Sequence, residues 1–323
     1  QVTAITVGST VSGAFTQPGQ TQSYTFTIPA SGFYYFDSLA NTNRATWTLT
    51  GPHGVEASAI PFNGSDGGAT SRNPVFNLAA GTYTIAVKPT PADNLEGFSF
   101  RVLDLSSASS FAFGQSISGA LPSGRDTALY KFDAVAGDSI SFVRQALTGG
   151  APTIRLIDPY GNVVSRFGFD TTSRNFTLPI SGTYRLLIEG AVDAVGETDY
   201  TFFTSFLGHT DPTPLTGTAL TIGAATTGTI ATGGQVDNYT FTITDPRVLL
   251  FNSMTYSSSL VWTLTGPRGQ EVASTNFVSD TSISPISLTT PGTYQLRISG
   301  QTASSTGSYA FGFNDLATGT ALT

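Results

Sequence analysis

Glu189, Asp193, Glu197 and Asp199 fall within one short stretch of a chain that is otherwise poor in charge. Carboxylates gathered around a single hairpin are the hard oxygen donors that calcium takes, so these four are the candidate metal ligands and calcium the candidate cofactor. The stretch NGSDGG at 63 to 68 is a second oxygen-rich segment. The competing expectations are plain: a solvated hairpin tip for the four acids, and a mobile glycine-rich turn for 63 to 68.

Other chemistry finds fewer footholds. His53 and His209 are the two histidines, the first in a Pro-x-Gly turn and the second in a stretch that reads as a linker. A hydrolytic triad needs a histidine oriented by a carboxylate beside a nucleophile, and no Gly-x-Ser-x-Gly elbow occurs. Glycine patterns that cradle phosphates or dinucleotides are missing as well. With no cysteine, thiolate nucleophiles, Cys-based zinc sites and disulfides are excluded. The reading is a chain that is not an enzyme. Aromatic residues are the remaining resource, because exposed rings stack on sugars. Tyr34, Tyr160 and Tyr256 fall outside the clearest core phase and are expected at the surface.

Composition sets the frame around these residues. The 323-residue chain is 11% charged, with a net charge of -7 and two lysines, Lys88 and Lys131. That leaves no electrostatic footprint for nucleic acid or anionic lipid, and no apolar run reaches the ~18 residues of a membrane span. Split at residues 105 and 209, the charge is -2 (four basic, six acidic), -2 (seven and nine) and -3 (three and six), so the acidity is spread evenly.

The elements that must position every candidate repeat three times. YTFTI at 24 to 28 returns as YKFDA at 130 to 134 and YTFTI at 239 to 243. TWTLTGPHG at 46 to 54 returns as TIRLIDPYG at 153 to 161 and VWTLTGPRG at 261 to 269. GTYTIAV at 81 to 87 is matched by GTYRLLI at 182 to 188 and GTYQLRI at 292 to 298, and each unit closes on GFSFRV, DYTFFT or SYAFGF. Within these landmarks apolar residues alternate, as in Tyr24, Phe26 and Ile28, Tyr83, Ile85 and Val87, or Phe98, Phe100 and Val102. Period two means strands with one face buried. Trp47 and Leu49, Ile154 and Leu156, and Trp262 and Leu264 point inward before Pro-x-Gly turns the chain.

About 100 residues of short strands and turns per unit predict an all-β chain of three tandem antiparallel, jelly-roll-like β-sandwiches. The expected boundaries are 1–105, 106–209 and 210–316, with linkers near 106–110 and 208–220. Residues 317–323, TGTALT preceded by Ala317, repeat 216–221 and read as the start of a linker to a further repeat.

The landmarks resemble the bacterial pre-peptidase C-terminal (PPC) domain family. Its pattern is a D-x-Y-x-F strand, an L-x-D-P-x-G turn, a G-T-Y strand and a closing Y-x-F strand. The middle unit matches in LIDPYG (156 to 161), SGTYRLLIEG (181 to 190) and DYTFF (199 to 203). The third carries DNYTF (237 to 241), but Gly266 stands where the family has Asp; the first departs likewise at Gln22 and Gly51. The resemblance implies sandwiches appended to secreted proteases or arrayed in large bacterial surface proteins, some binding collagen, chitin or calcium. It carries no binding residue onto this chain.

These expectations converge on a non-catalytic spacer and adhesive segment of a large exported bacterial repeat protein, secreted or at the cell surface. Its partners would be a polysaccharide or matrix polymer, or neighbouring copies of itself. Two alternatives stand beside it. One is a carbohydrate- or matrix-binding module serving a secreted enzyme; the other is a filament subunit exchanging strands at residues 1 to 7 and 317 to 323.

Overall fold

The computed structural model describes residues 2–70, 72–277 and 284–318. Apart from a few 3-10 turns it is built of strands, in three copies of one plan. The first sandwich comprises β1 (Val2–Ala4), β2 (Val11–Ala14), β3 (Gln22–Ile28), β4 (Gly32–Ser38), β5 (Ala45–Gly51), β6 (Gly54–Pro61), β7 (Val75–Leu78), β8 (Gly81–Pro89) and β9 (Gly97–Asp104). The second comprises β10 (Ser109–Ser110), β11 (Ser116–Leu121), β12 (Thr127–Ala134), β13 (Asp138–Thr148), β14 (Thr153–Ile157), β15 (Val163–Gly168), β16 (Arg174–Thr177), β17 (Gly182–Glu189) and β18 (Thr198–His209). The third comprises β19 (Thr218–Ala219), β20 (Thr226–Ile230), β21 (Val236–Ile243), β22 (Arg247–Ser253), β23 (Ser257–Gly266), β24 (Gly269–Phe277), β25 (Ile286–Leu288), β26 (Gly292–Gly300) and β27 (Gly307–Asp315).

Sheet order repeats with the sequence. In the first sandwich β1-β3-β8-β5-β6 faces β2-β9-β4-β7; in the second, β10-β12-β17-β14-β15 faces β11-β18-β13-β16; in the third, β19-β21-β26-β23-β24 faces β20-β27-β22-β25. All pairings are antiparallel except the short entry strands β1, β10 and β19, which lie parallel to β3, β12 and β21. The first two sandwiches make one compact unit, Gln1–Thr210, and the third makes another, Asp211–Thr323.

The alternating residues fill the layer between each pair of sheets. Trp47 stacks on Phe36 with ring centroids 3.9 Å apart, and Trp262 stacks on Phe251 at 4.1 Å, each ring nearly free of solvent. The second sandwich has Ile154 at that position and completes its layer with Phe142 stacked on Phe202 at 5.2 Å. Burying each such side chain contributes roughly 1.5–3 kcal/mol, so the repeated landmarks are also the main source of stability. The Pro-x-Gly phrase forms the expected hairpin: Gly51 pairs with Gly54 and Gly266 with Gly269, and Gly54 and Gly269 take φ of 110° and 107°, where a side chain would be strained.

A further repeated feature lies at the rim of each core. Gly13, Gly119 and Gly228 sit directly opposite Phe98, Tyr200 and Tyr309 on the closing strand. A Cβ at Gly119 would come within 2.3 Å of the Tyr200 hydroxyl, and one at Gly228 within 2.2 Å of the Tyr309 hydroxyl. The glycine leaves room for the ring to lie across the strand and reach a neighbour. Tyr200 Oη meets Tyr130 Oη at 2.8 Å, and Tyr309 Oη meets Tyr239 Oη at 2.7 Å.

Candidate functional site

Strands with only one apolar face need nothing beyond their own sandwich. β4, reading GFYYFDS, is different: Tyr34 and Phe36 enter the first core, while Tyr35 and Asp37 leave through the other face, and all four are buried. On the second sandwich β14 and β17 likewise bury residues on both faces, with the apolar Ile157 and Leu187 pointing away from the core beside Arg155 and Glu189. Strands covered on both sides read as continuous apolar runs. Here the two runs cover each other. Tyr35, Val75, Leu103, Leu105, Ile157 and Leu187 form a separate buried cluster joining the first sandwich to the second, with Phe33, Leu129 and Val163 at its margin.

Charged groups are built into the same joint. Arg155 donates from Nε to Glu189 Oε1 at 2.8 Å and from Nη2 to Oε2 at 3.1 Å, and Tyr35 Oη donates to Glu189 Oε1 at 2.9 Å. Arg155 and Glu189 are 1% and 0% exposed, so this two-pronged pair is wholly removed from water. Arg155 Nη2 also donates to the Gly67 carbonyl at 3.2 Å. Beside this pair, Arg101 donates to Asp37 from Nε at 2.7 Å and again from Nη2, and Arg101 Nη1 lies 3.3 Å from Asp126. Asp66 accepts from the Ser38 N–H at 2.5 Å. At the rim, Arg166 donates to the Gly68 and Thr70 carbonyls, Arg125 to those of Leu39 and Ala194, and Asn73 to that of Gly161.

Asp37 Oδ1 and Thr127 Oγ1 are both sealed inside the joint, where the Thr127 hydroxyl favours the charged form of Asp37. Burial raises the Asp37 carboxyl against the pull of Arg101, and raises Glu189 against Arg155. Asp66 goes well above the usual carboxylate range; burial is the chief cause and the charge of Asp37 adds to it, against the Ser38 N–H.

Several sequence expectations are corrected by this arrangement. Glu189 is not at a solvated tip; it ends β17 under the first sandwich and its oxygens are held by Arg155 and Tyr35. Asp193 and Glu197 are exposed on the following turn, and Asp199 lies on β18, where it accepts from Thr148 Oγ1 at 3.3 Å. The four candidate calcium ligands are therefore not brought together, and no group of three such side chains placed to hold a metal ion occurs among the described residues. The stretch 63 to 68 is no loose turn. Ser65 Oγ accepts from Trp47 Nε1 at 2.7 Å, Asp66 holds Ser38, and Gly67 and Gly68 receive the arginines of the second sandwich.

Tyr34, expected at the surface, is buried in the first core because β4 carries aromatics in both phases. Tyr160 is half-buried and Tyr256 is 78% exposed. His53 is exposed in its turn. His209, expected in a linker, is the last residue of β18, paired with Asp138 across the strands, and its Nδ1 lies 2.8 Å from Asp138 Oδ1. The expected linker at 106–110 is ordered too: Leu105–Ser107 forms a 3-10 turn capped by Asp104, followed directly by β10.

The joint was legible in part. The adjacent apolar residues of opposite phase at 33–36, 156–157 and 186–188 are its signal, set against the polar outward positions of YQLRI in the third unit.

No protein-family pattern matches the chain, and none of the curated proteins does. Solved structures give distant likenesses. A periplasmic g-type lysozyme inhibitor from Aeromonas hydrophila is 17% identical, with 30% of this chain and 94% of that one covered and a TM-score of 0.27. The CUB1-EGF-CUB2 domains of rat MASP-1 are 9% identical, covering 64% and 100%, at a TM-score of 0.22. Tripeptidyl peptidase 2 is 7% identical, covering 94% and 33%, at 0.25. Likenesses this faint carry no argument about function. Among the described residues no helix is long and apolar enough to cross a membrane.

Proposed function

We propose that the chain is a non-catalytic spacer and adhesive segment of an exported bacterial repeat protein, one whose first two sandwiches are locked into a single stiff element. The observation that carries this reading is the buried Arg155–Glu189–Tyr35 bridge within the apolar joint. A flexible tether between sandwiches needs no desolvated ion pair, and a misplaced one would be costly, so its presence specifies one relative orientation. Stiffness adds reach per residue, and weak contacts repeated along a stiff array sum to avidity because their spacing is fixed. Among the described residues Tyr256 and Phe206 are exposed rings available for polymer contact, whereas Tyr34 is withdrawn from it. The alternative of strand exchange has less support at the first end, where Val2–Ala4 already pair with β3; residues 319–323 of the other end lie outside the described residues and do not bear on it.

Backbone 15N relaxation on the full chain tests the spacer. Amides of the first and second sandwiches are expected to report one shared correlation time and orientation; independent tumbling would sink it. Adhesion is tested by retention on insoluble polysaccharides and matrix polymers, and a blank against all of them would remove that half of the proposal.

A further inference from the structure

The joint holds more acid than its bonded bases neutralise. Asp37, Asp66 and Glu189 are 0%, 4% and 0% exposed, and Asp126 adjoins them. Facing them are Arg155 from β14, committed to Glu189, and Arg101 from β9, shared between Asp37 and Asp126. Tyr35 donates into Glu189, and Arg125 and Arg166 donate to backbone carbonyls at the rim. Asp66 is thus left with a backbone N–H and no bonded guanidinium among the described residues. Its neighbours Asp37 and Glu189 both oppose a charge on it, and Arg155 favours one. An ionised Asp66 would be a buried charge without a bonded counterion, which is among the costliest arrangements in a protein.

We propose that the joint is a proton-operated latch: docking of the two sandwiches takes up a proton on Asp66, and loss of that proton as pH rises frees one sandwich from the other. The proton comes from solvent, sits on the carboxylate while the joint is closed, and returns to solvent on opening; no covalent bond is made or broken, and the hydrogen bonds across the joint are exchanged for water. The sign follows from linkage. A carboxyl raised by docking favours the docked state fully below its free value and ceases to do so as pH rises through the docked one. The inference rests on the stiff-spacer reading and adds its regulation.

The natural chain has no cysteine, so dyes can be placed at will. Val55→Cys in the first sandwich and Val135→Cys in the second lie at positions 63% and 57% exposed, neither adjoining a residue named in the joint. Single-molecule energy transfer between dyes on the full chain is followed from about pH 5 to about pH 9, with far-UV circular dichroism confirming folded sandwiches throughout. The expected result is one narrow distribution in acid, joined by a second, broader population as pH rises. Asp66→Asn keeps an acceptor for the Ser38 N–H but cannot ionise, and is expected to stay narrow across the range. A narrow, unchanging distribution in the natural sequence overturns the latch and leaves the spacer standing. A variant that still opens with pH also overturns the latch. A broad distribution at every pH overturns both readings, and the natural sequence alone decides should the variant fold poorly.

Discussion

Arg155 and Glu189 lie on adjacent strands, β14 and β17, of the second sandwich, yet their bidentate pair is sealed from water by the first, through Tyr35 and the Gly67 carbonyl. A bond inside one domain thereby depends on the presence of another. The sequence difference is small: the outward positions that hold Arg155 and Glu189 hold Thr48 and Lys88 in the first repeat and Thr263 and Ser299 in the third.

Removing one partner strands the other. Arg155→Ala is expected to destabilise the first unit by about 3–5 kcal/mol, the cost of an uncompensated buried charge. The double variant Arg155→Met with Glu189→Leu exchanges the pair for apolar volume and should cost far less than Arg155→Ala alone. Denaturant unfolding of the three proteins checks the order. Equal losses in single and double variants would mean that the charges contribute little beyond their packing.

The two tryptophans are equivalent in sequence but not in bonding. Trp47 Nε1 donates to Ser65 Oγ at 2.7 Å, whereas Trp262 Nε1 is buried with no partner among the described residues. Trp47→Phe therefore breaks a hydrogen bond, and Trp262→Phe removes a donor that has no partner among the described residues. The first should cost about 1–2 kcal/mol more than the second, once the similar loss of ring volume is set aside. Calorimetry that resolves the two units reads the difference directly.

The third sandwich has the opposite pH sense to the joint. Asp315 caps the last turn by accepting from the Ala317 N–H at 3.0 Å and also binds Arg247, and these hold its carboxyl below the usual range, the backbone bond most of all. A carboxyl lowered by folding stabilises above its unfolded value, about 3.9 for aspartate, and that contribution is lost as pH falls through the lower folded value. Asp315→Asn should flatten the acid limb of the third sandwich's melting curve. An acid limb as steep as that of the natural chain would assign it to another group.

Fold and core were open to sequence because they rest on local alternation. Trp47, Ile85, Leu156, Leu264 and their neighbours are buried as their phase required. What alternation cannot show is a second burial. Tyr34 and Tyr35 are adjacent aromatics of opposite phase, and only the docked sandwich explains why both are hidden. Glu189 looked solvated for the same reason, since the pair it forms with Arg155 is covered by Tyr35 and the Gly67 carbonyl, more than eighty positions away in the chain. The pairing of Gly119 with Tyr200 was hidden because a glycine in a strand carries no apolar signal to count.

That pairing gives the last expectation. Gly119 is not in the left-handed region, so its conformation tolerates a side chain, and the obstacle is space alone: a methyl would meet Tyr200 Oη at 2.3 Å and Cζ at 2.5 Å. Tyr200 cannot swing aside freely, because its ring packs on Phe169 and its hydroxyl is bonded to Tyr130, whose ring in turn packs on Phe202. Gly119→Ala should therefore cost about 1–3 kcal/mol by overpacking, although alanine is better suited to a strand than glycine. Gly168→Ala, in the same sandwich with nothing within 4 Å of the added carbon, should be neutral or mildly stabilising. Adding Tyr200→Phe, which removes the hydroxyl that the methyl meets first, should recover part of the Gly119→Ala loss. Recovery in the double variant would locate the conflict at that oxygen, and its absence would place the glycine's role in the backbone of β11 instead.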